Sequence, residues 1–200
     1  MYKIVFSSVI EYFLYGIAPV LSFYLVNCNK SNLRHCKVDE LYLFLIIIIC
    51  GFIIEMLGYK MYKMFSDNLY DYNYKKIIDG QEEEFKNIIN SIDNKIEIKL
   101  NKEKSIERLY NIAYGFISGE STQELSRNFT YFKLFRSMSA SLLVSLVIML
   151  IYYCNNRDIL VYLFINLFSL LLSINSFLDY YKRSMTTSID LIFVENKNSK

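Results

Sequence analysis

The feature that most constrains this chain is an apolar run over residues 41–59, with the sequence LYLFLIIIICGFIIEMLGY. Its only charged residue is Glu55, and Lys60 and Lys63 follow it closely. About 20 apolar residues in a helix span the hydrocarbon core of a bilayer. The run therefore predicts a membrane-spanning helix, anchored at one end by lysines at the depth of the lipid headgroups.

Three further apolar segments lie at residues 4–26, 134–153 and 159–178. Of the 200 residues, 54% are hydrophobic and the mean hydropathy is +0.23, more than a soluble domain of this length needs. The first segment contains Glu11 and no small-residue cleavage site follows it, so we interpret it as a retained span and not as a signal peptide. We therefore predict an all-α membrane protein with four transmembrane helices in two hairpins, residues 1–59 and 134–178.

The one sizeable polar region, residues 60–133, is predicted to be a small, mainly helical cytoplasmic region, with residues 179–200 as a cytoplasmic tail. The acidic sequence QEEE before Phe85 predicts the start of one helix, and apolar residues spaced from Ile106 to Phe116 predict a second. Residues 95–100 alternate in polarity, so a strand competes with helix there, and residues 189–194 could pair with it.

A capping box is formed by Ser121 and Glu124, and the helix that it starts is predicted to run into the third span. Four spans place both termini and residues 60–133 on one side of the membrane. The basic residues near span ends on that side are Lys3, Lys60, Lys63, Lys133, Arg136, Lys182 and Arg183. The other side has fewer: Lys30, Arg34, Lys37 and Arg157. This excess predicts that both termini are cytoplasmic.

The abundance of Ile, Asn, Lys, Tyr and Phe is typical of a low-GC bacterial genome, so we expect a multi-pass protein of the bacterial inner membrane. The net charge of +2 and the scattered basic residues argue against a nucleic-acid partner. The partner that the composition does predict is the lipid bilayer.

Charged and polar groups interrupt the spans at a similar depth. They are Glu11, Glu55, Arg136 and Asn175. A charged carboxylate facing lipid costs ~2.5–3.5 kcal/mol on insertion scales, so we predict that these groups converge inside the bundle. Three interpretations stay open: a buried lock between a glutamate and an arginine or tyrosine, a proton or ion relay, and a glutamate that is neutral because its pKa is raised.

Small polar residues follow helical spacing on the third and fourth spans. They are Ser137, Ser141 and Ser145 on the third, and Asn166, Ser169, Ser173 and Ser176 on the fourth. Such a stripe allows close approach of two helix backbones. It is also compatible with the polar lining of a pore, which would require a homo-oligomer, because four helices of one chain are too few to enclose a channel.

Cys28, Cys36 and Cys154 are all predicted on the outer side, where a disulfide between two of them is plausible. Together with His35 they match no strong zinc pattern, so no metal site is predicted. The chain contains no recognisable catalytic motif that pairs a Ser or Cys nucleophile with a histidine, no glycine-rich phosphate loop and no HExxH motif. We therefore predict a non-enzymatic protein without a cofactor.

Two stretches carry a resemblance to a known group of proteins. Residues 58–65, GYKMYKMF, follow the second span, and residues 128–131, NFTY, with Arg136 and Ser137, precede the third. This layout resembles uncharacterised four-span bacterial membrane proteins of the kind found in anti-phage defence loci. A Gly-Phe pair and a second Asn associated with the second motif are absent here. The resemblance implies a membrane sensor or membrane-perturbing effector that works with a cytosolic protein partner.

Three functional hypotheses follow. The first is a non-enzymatic membrane component of a defence system, a sensor or a pore-forming homo-oligomer, whose region 60–133 receives a signal or a partner. The second is a small ion- or proton-coupled transporter or channel that uses Glu11 and Glu55. The third is a membrane scaffold with no transport pathway.

Overall fold

The computed structural model describes residues 2–28, 40–95, 105–116, 120–153 and 160–198. Within these ranges there are six helices and no strand: α1 (Tyr2–Cys28), α2 (Glu40–Ile78), α3 (Glu82–Lys95), α4 (Ile106–Phe116), α5 (Glu120–Tyr153) and α6 (Leu160–Asn198). The all-helical prediction is therefore confirmed for the described residues. The predicted strand at 95–100 falls almost wholly outside them, and only Lys95, the last residue of α3, is described.

Three of these helices, α2, α5 and α6, are long and apolar enough to cross a membrane, while α1 contains a shorter apolar stretch, Val9–Tyr24. Their large hydrophobic side chains are widely exposed, with Leu41 and Phe164 each 64% exposed. Water would oppose such a contiguous apolar surface, whereas lipid is a matching solvent for it. The chain is therefore a membrane protein.

Two helices extend far beyond the predicted spans. Helix α2 continues past Tyr59 to Ile78, and α6 continues past Lys182 and Arg183 to Asn198. The predicted strand at residues 189–194 is wrong. Ile189 and Ile192, only 1% and 2% exposed, are buried three residues apart on the same helix, as the helical period requires.

Helix α5 runs unbroken from Glu120 to Tyr153, which confirms that a helix of the polar region continues into the third apolar segment. Because the helix begins at Glu120, Ser121 lies inside its first turn and does not precede it. The predicted N-cap position is therefore wrong, although the predicted continuity of the helix holds.

Contacts divide the chain into two compact units. Unit 1 comprises Met1–Tyr62 and Leu134–Phe177, and unit 2 comprises Lys63–Lys133 and Leu178–Lys200. The core of unit 1 is built on Tyr15, Ile54 and Ala140, one residue from each of α1, α2 and α5. Ring contacts add to the packing of α1 on α2, since Tyr12 meets Phe52 edge-on with 5.7 Å between ring centroids.

Unit 2 is richer in charged residues than unit 1 and has its own set of buried apolar side chains. A turn joins α2 to α3: Gly80 has φ +80°, a conformation that favours glycine, and the Gln81 N–H donates to the Ile78 carbonyl at 2.7 Å. Glu82, Glu83 and Glu84 fill the first turn of α3, where the helix dipole favours acids, so the predicted helix start is confirmed.

Helix α4 begins with a cap that the sequence reading missed. The Arg108 N–H donates to the Ser105 hydroxyl at 3.2 Å, which satisfies a backbone donor of the first turn. Its apolar face is deeply buried, with Ile106, Ile112 and Ala113 at most 1% exposed, so the predicted helix over these residues is confirmed. Other fully buried side chains of this unit are Phe85, Leu125, Phe132, Tyr181 and Met185.

Candidate functional site: polar groups inside the apolar bundle

The closest packing in unit 1 is between α1 and α2, at two glycines. A Cβ placed on Gly16 would overlap the Ile47 carbonyl oxygen, and one placed on Gly51 would overlap the Tyr12 carbonyl oxygen. Gly58, two turns further along α2, faces α5, where a Cβ would lie 3.3 Å from that of Ala140. Helix α2 therefore packs between α1 and α5. A larger residue at Gly16 or Gly51 would push the backbones of α1 and α2 apart.

The serine ladder of α5 lies entirely inside unit 1. Ser137, Ser141 and Ser145 are 1%, 2% and 0% exposed. The Ser141 hydroxyl donates to the Tyr15 carbonyl oxygen of α1 at 2.5 Å. The ladder therefore packs against the neighbouring helices of its own chain, as the close-packing interpretation requires.

A hydrogen-bonded triad joins three helices at one end of this ladder. Ser145 of α5 is hydrogen-bonded to the Ser22 hydroxyl of α1, and it accepts a hydrogen bond from the Asn166 amide of α6. The Ser22 hydroxyl also bonds to the Ala18 carbonyl oxygen at 2.8 Å. Lipid offers no hydrogen bonds, so such buried hydroxyl and amide groups must satisfy one another.

The other predicted polar residues of α6 behave unequally. Ser173, 4% exposed, lies 3.0 Å from the Ser139 hydroxyl and 3.3 Å from the Phe135 carbonyl oxygen, so it ties α6 to α5. Ser169 and Ser176 are only half-buried. Ser139 was missed by the sequence reading because it lies off the four-residue ladder, and only the position of α6 identifies its role.

The two carboxylates, the arginine and two tyrosines form a second polar group. Glu11 and Glu55 are both half-buried, and the Tyr12 side chain lies near Glu55. Tyr15, 3% exposed, lies within electrostatic reach of Glu11, Glu55 and Arg136, and near Ser137. Tyr15 lies one helical turn from Glu11 on the same face, and Tyr12 adjoins Glu11, so a contact between a glutamate and a tyrosine, one of the interpretations left open by the sequence, concerns these two residues.

Arg136 is 8% exposed and packs against aromatic rings. Its guanidinium carbon lies 5.2 Å from the Tyr59 ring centroid and 5.8 Å from that of Tyr62, distances at which a cation is attracted to the ring face. Asn175, in contrast, is exposed on α6, so the structure places it outside this group. Glu11, Glu55 and Arg136 all lie within electrostatic reach of Tyr15, whereas Asn175 is exposed.

The cysteine predictions lie almost wholly outside the described residues. Cys36, Cys154 and His35 are not among them, and of Cys28 only the backbone is described, as the last residue of α1. Cys50 is a half-buried free thiol in α2. Among the residues that the structure describes, no cluster of three His, Cys, Asp or Glu side chains is arranged to hold a metal ion.

Unit 2 contains a separate cavity of about 420 Å³, lined by residues of α2, α3 and α4. This volume falls in the range of ligand pockets. Tyr70, Phe85, Leu109 and Ile112 form its buried apolar part, and Asp71, Glu82, Lys86 and Arg108 bring both signs of charge. The Tyr70 and Tyr74 phenols, whose pKa burial raises further above neutral, can donate hydrogen bonds.

Chemically, the polar groups of unit 1 can lock helix register, and the carboxylates and phenols can also hold or exchange a proton. The cavity in unit 2 can accept a small molecule or a side chain of a partner. Comparison with known protein families, curated proteins and solved structures finds no match to this chain.

Proposed function

We propose that this chain is a four-span, non-enzymatic component of a bacterial inner membrane with both termini in the cytoplasm. It would act in anti-phage defence, as a sensor or a membrane-perturbing effector, together with a cytosolic protein partner. Three helices of spanning length and the apolar stretch Val9–Tyr24 within the 27-residue α1 support the four spans. The two sequence motifs around residues 58–65 and 128–137 support the defence role.

The observation that carries this proposal is that three helices belong to both units. Helices α2, α5 and α6 each contribute one part to unit 1 and the other part to unit 2. In α5 the division falls between Lys133 and Leu134, within an unbroken helix. Helices shift and rotate as rigid elements, so a change in the polar half of α5 would move its apolar half.

A membrane-perturbing effector would have to be a homo-oligomer. In one chain the ladder of Ser137, Ser141 and Ser145 is already occupied by contacts with neighbouring helices. The polar groups of α6 left for a neighbouring subunit are exposed Asn175 and the half-buried Ser169 and Ser176. An oligomer that brought these together would have a polar seam between subunits.

The test inserts two glycines between Lys133 and Leu134 to interrupt α5, with the same insertion at residues 154–159, between α5 and α6, as the matched control. Cells expressing each variant are infected with phage, and membrane potential and permeability are recorded. We expect depolarisation with the wild type and the control, and none with the α5 insertion. Pull-down with each of the three full-length proteins as bait should recover the same cytosolic partner.

Unchanged membrane potential and permeability with the wild type would overturn the effector version, and partner recovery would then decide for the sensor version. If the α5 insertion variant depolarises the membrane as much as the wild type does, coupling between the two halves of α5 does not depend on the continuity of this helix. A scaffold would show a third pattern, in which deletion of residues 60–133 abolishes partner recruitment and leaves ion leakage unchanged.

A second candidate is a small proton-coupled transporter or channel, and the grouping of Glu11, Glu55 and Tyr15 favours it. Such a protein needs a group that binds and releases a proton inside the membrane. Glu11→Gln and Glu55→Gln should then abolish flux into proteoliposomes while leaving the purified protein monodisperse and helical. Equal flux in both variants and the wild type would exclude this candidate.

A further inference from the structure

Three lysines of unit 2 lie at the ends of the apolar segments on three different helices. Lys63 of α2 and Lys182 of α6 each lie four residues beyond an apolar segment, and Lys133 of α5 directly precedes one. At about 1.5 Å per residue, each is within ~6 Å of the apolar end along its helix. All three side chains are exposed. We call them the junction lysines.

Within the described part of the chain, no carboxylate neutralises the junction lysines. No carboxylate of the described residues forms a salt bridge with any of them, whereas neighbouring Arg183 pairs with Asp179 at 2.9 Å. The Lys133 Nζ lies over an aromatic ring, 4.6 Å from the Phe129 centroid. Three exposed ammonium groups thus remain available to an anion from outside the chain.

The side chains next to the junction lysines are of types that are found at the boundary between lipid headgroups and acyl chains. Met64 and Phe65, next to Lys63, are 76% and 63% exposed, an unfavourable state in water. Tyr131 and Tyr180 touch with ring centroids 5.0 Å apart, which joins α5 to α6 near Lys133 and Lys182. Tyrosine is enriched at membrane–water interfaces because its ring is apolar and its hydroxyl is polar.

We propose that Lys63, Lys133 and Lys182 bind the phosphate groups of anionic phospholipids in the leaflet next to unit 2, with Met64 and Phe65 at the acyl boundary. Lipid is favoured over an acidic protein because each lysine adjoins an apolar span end, which lipid surrounds, and because exposed apolar side chains accompany Lys63. The inference depends on the chain being a membrane protein and is independent of any role in defence.

The test reconstitutes the full chain into nanodiscs of phosphatidylcholine mixed with phosphatidylglycerol, and native mass spectrometry then counts the lipids that remain bound. Three proteins are compared with the wild type. The triple variant is K63Q/K133Q/K182Q, and the charge-matched control is K75Q/K76Q/K86Q, which changes three exposed lysines of the same unit that adjoin none of the apolar segments in the sequence. The third, K63R/K133R/K182R, keeps the charge.

We expect the wild type, the control and the arginine variant to retain phosphatidylglycerol in preference to phosphatidylcholine. Each neutralised lysine should weaken that preference by up to about fivefold, and the triple variant by up to roughly 100-fold. Raising the ionic strength should weaken the preference of the wild type as well, because exposed charges are screened.

An unchanged lipid ratio in the triple variant would overturn the proposal and leave an acidic protein as the partner of these lysines. An equal loss in the control would also overturn it, since overall charge would then explain the preference. Displacement of phosphatidylglycerol by inorganic phosphate would show that the site recognises a free anion, which is a third contrary result. Circular dichroism that matches the wild type establishes that each variant is folded.

Discussion

Replacing Ser145 by alanine should destabilise unit 1 more than any other single serine substitution in it. Ser145 is fully buried and bonds to Ser22 of α1 and Asn166 of α6. After the change Ser22 keeps its bond to the Ala18 carbonyl oxygen, but the Asn166 amide nitrogen loses its partner. The Asn166 side-chain oxygen is already without a hydrogen bond among the described residues, so the whole amide would be unsatisfied.

The magnitude follows from what each group loses. Hydrogen bonds inside membrane proteins contribute ~0.6 kcal/mol on average and at most about 1.7 kcal/mol. An orphaned buried donor adds a desolvation penalty of ~1–3 kcal/mol. We therefore expect Ser145→Ala to lower the free energy of unfolding by about 2 kcal/mol. Ser22→Ala should lower it by ~0.6 kcal/mol or less, because Ser145 still bonds to Asn166.

A double-mutant cycle separates the orphaned amide from the lost bonds. In an Asn166→Leu background no amide remains to be orphaned, so Ser145→Ala should then cost about 1 kcal/mol less than in the wild type. Unfolding is measured as loss of helical circular dichroism in mixed micelles of a mild detergent and sodium dodecyl sulfate, since the chain has no tryptophan. Ser176→Ala, at a half-buried position, is the control.

Two results would refute this reasoning. Either Ser145→Ala is no more destabilising than Ser176→Ala, or the effects of Ser145→Ala and Asn166→Leu simply add. The first would mean that the triad contributes no net stability, and the second that the two side chains are not energetically coupled.

Other consequences can be measured on the same preparation. Gly51→Val should destabilise unit 1 by several kcal/mol (~3 or more), because its Cβ overlaps the Tyr12 carbonyl oxygen, while Gly115→Ala, where a Cβ meets nothing within 4 Å, should be neutral or stabilising by up to ~1 kcal/mol. Phe85→Ala, at a side chain 1% exposed, should destabilise unit 2 by ~3–5 kcal/mol and raise its rate of limited proteolysis; Tyr72→Ala, at a side chain 66% exposed, should leave that rate unchanged. Burial raises the pKa of Tyr70 above its ordinary 10.0, so its contribution to stability is present below pH 10 and is lost as the pH rises through the folded pKa. Unfolding of the wild type between neutral and high pH should therefore show a decline that Tyr70→Phe reduces, and a pH profile that is identical in both proteins would contradict this.

Much of the fold could be predicted because its signals are local. The run at 41–59 predicts a spanning helix from length and hydropathy alone, since a chain in lipid must pair its own backbone groups within the segment. The acids before Phe85 predict the start of α3 in the same local way, through the field of the helix terminus. Residues 189–194 were predicted as a strand but belong to α6. So short a stretch does not determine by its own sequence whether it forms a strand or a helix.

The polar groups show where prediction from sequence had to stop. Residue type and depth indicated that Glu11, Glu55 and Arg136 would seek polar neighbours, because lipid penalises a charge wherever it lies along the chain. Which neighbours they find is a property of helix packing: Ser145 meets Ser22 across 123 positions of sequence, and Asn175, of similar polarity, faces outward. The composition of each segment determines whether it prefers lipid or water. The rotation of each helix about its axis depends instead on the helices that pack around it. Only the assembled bundle decides which hydroxyls and amides pair.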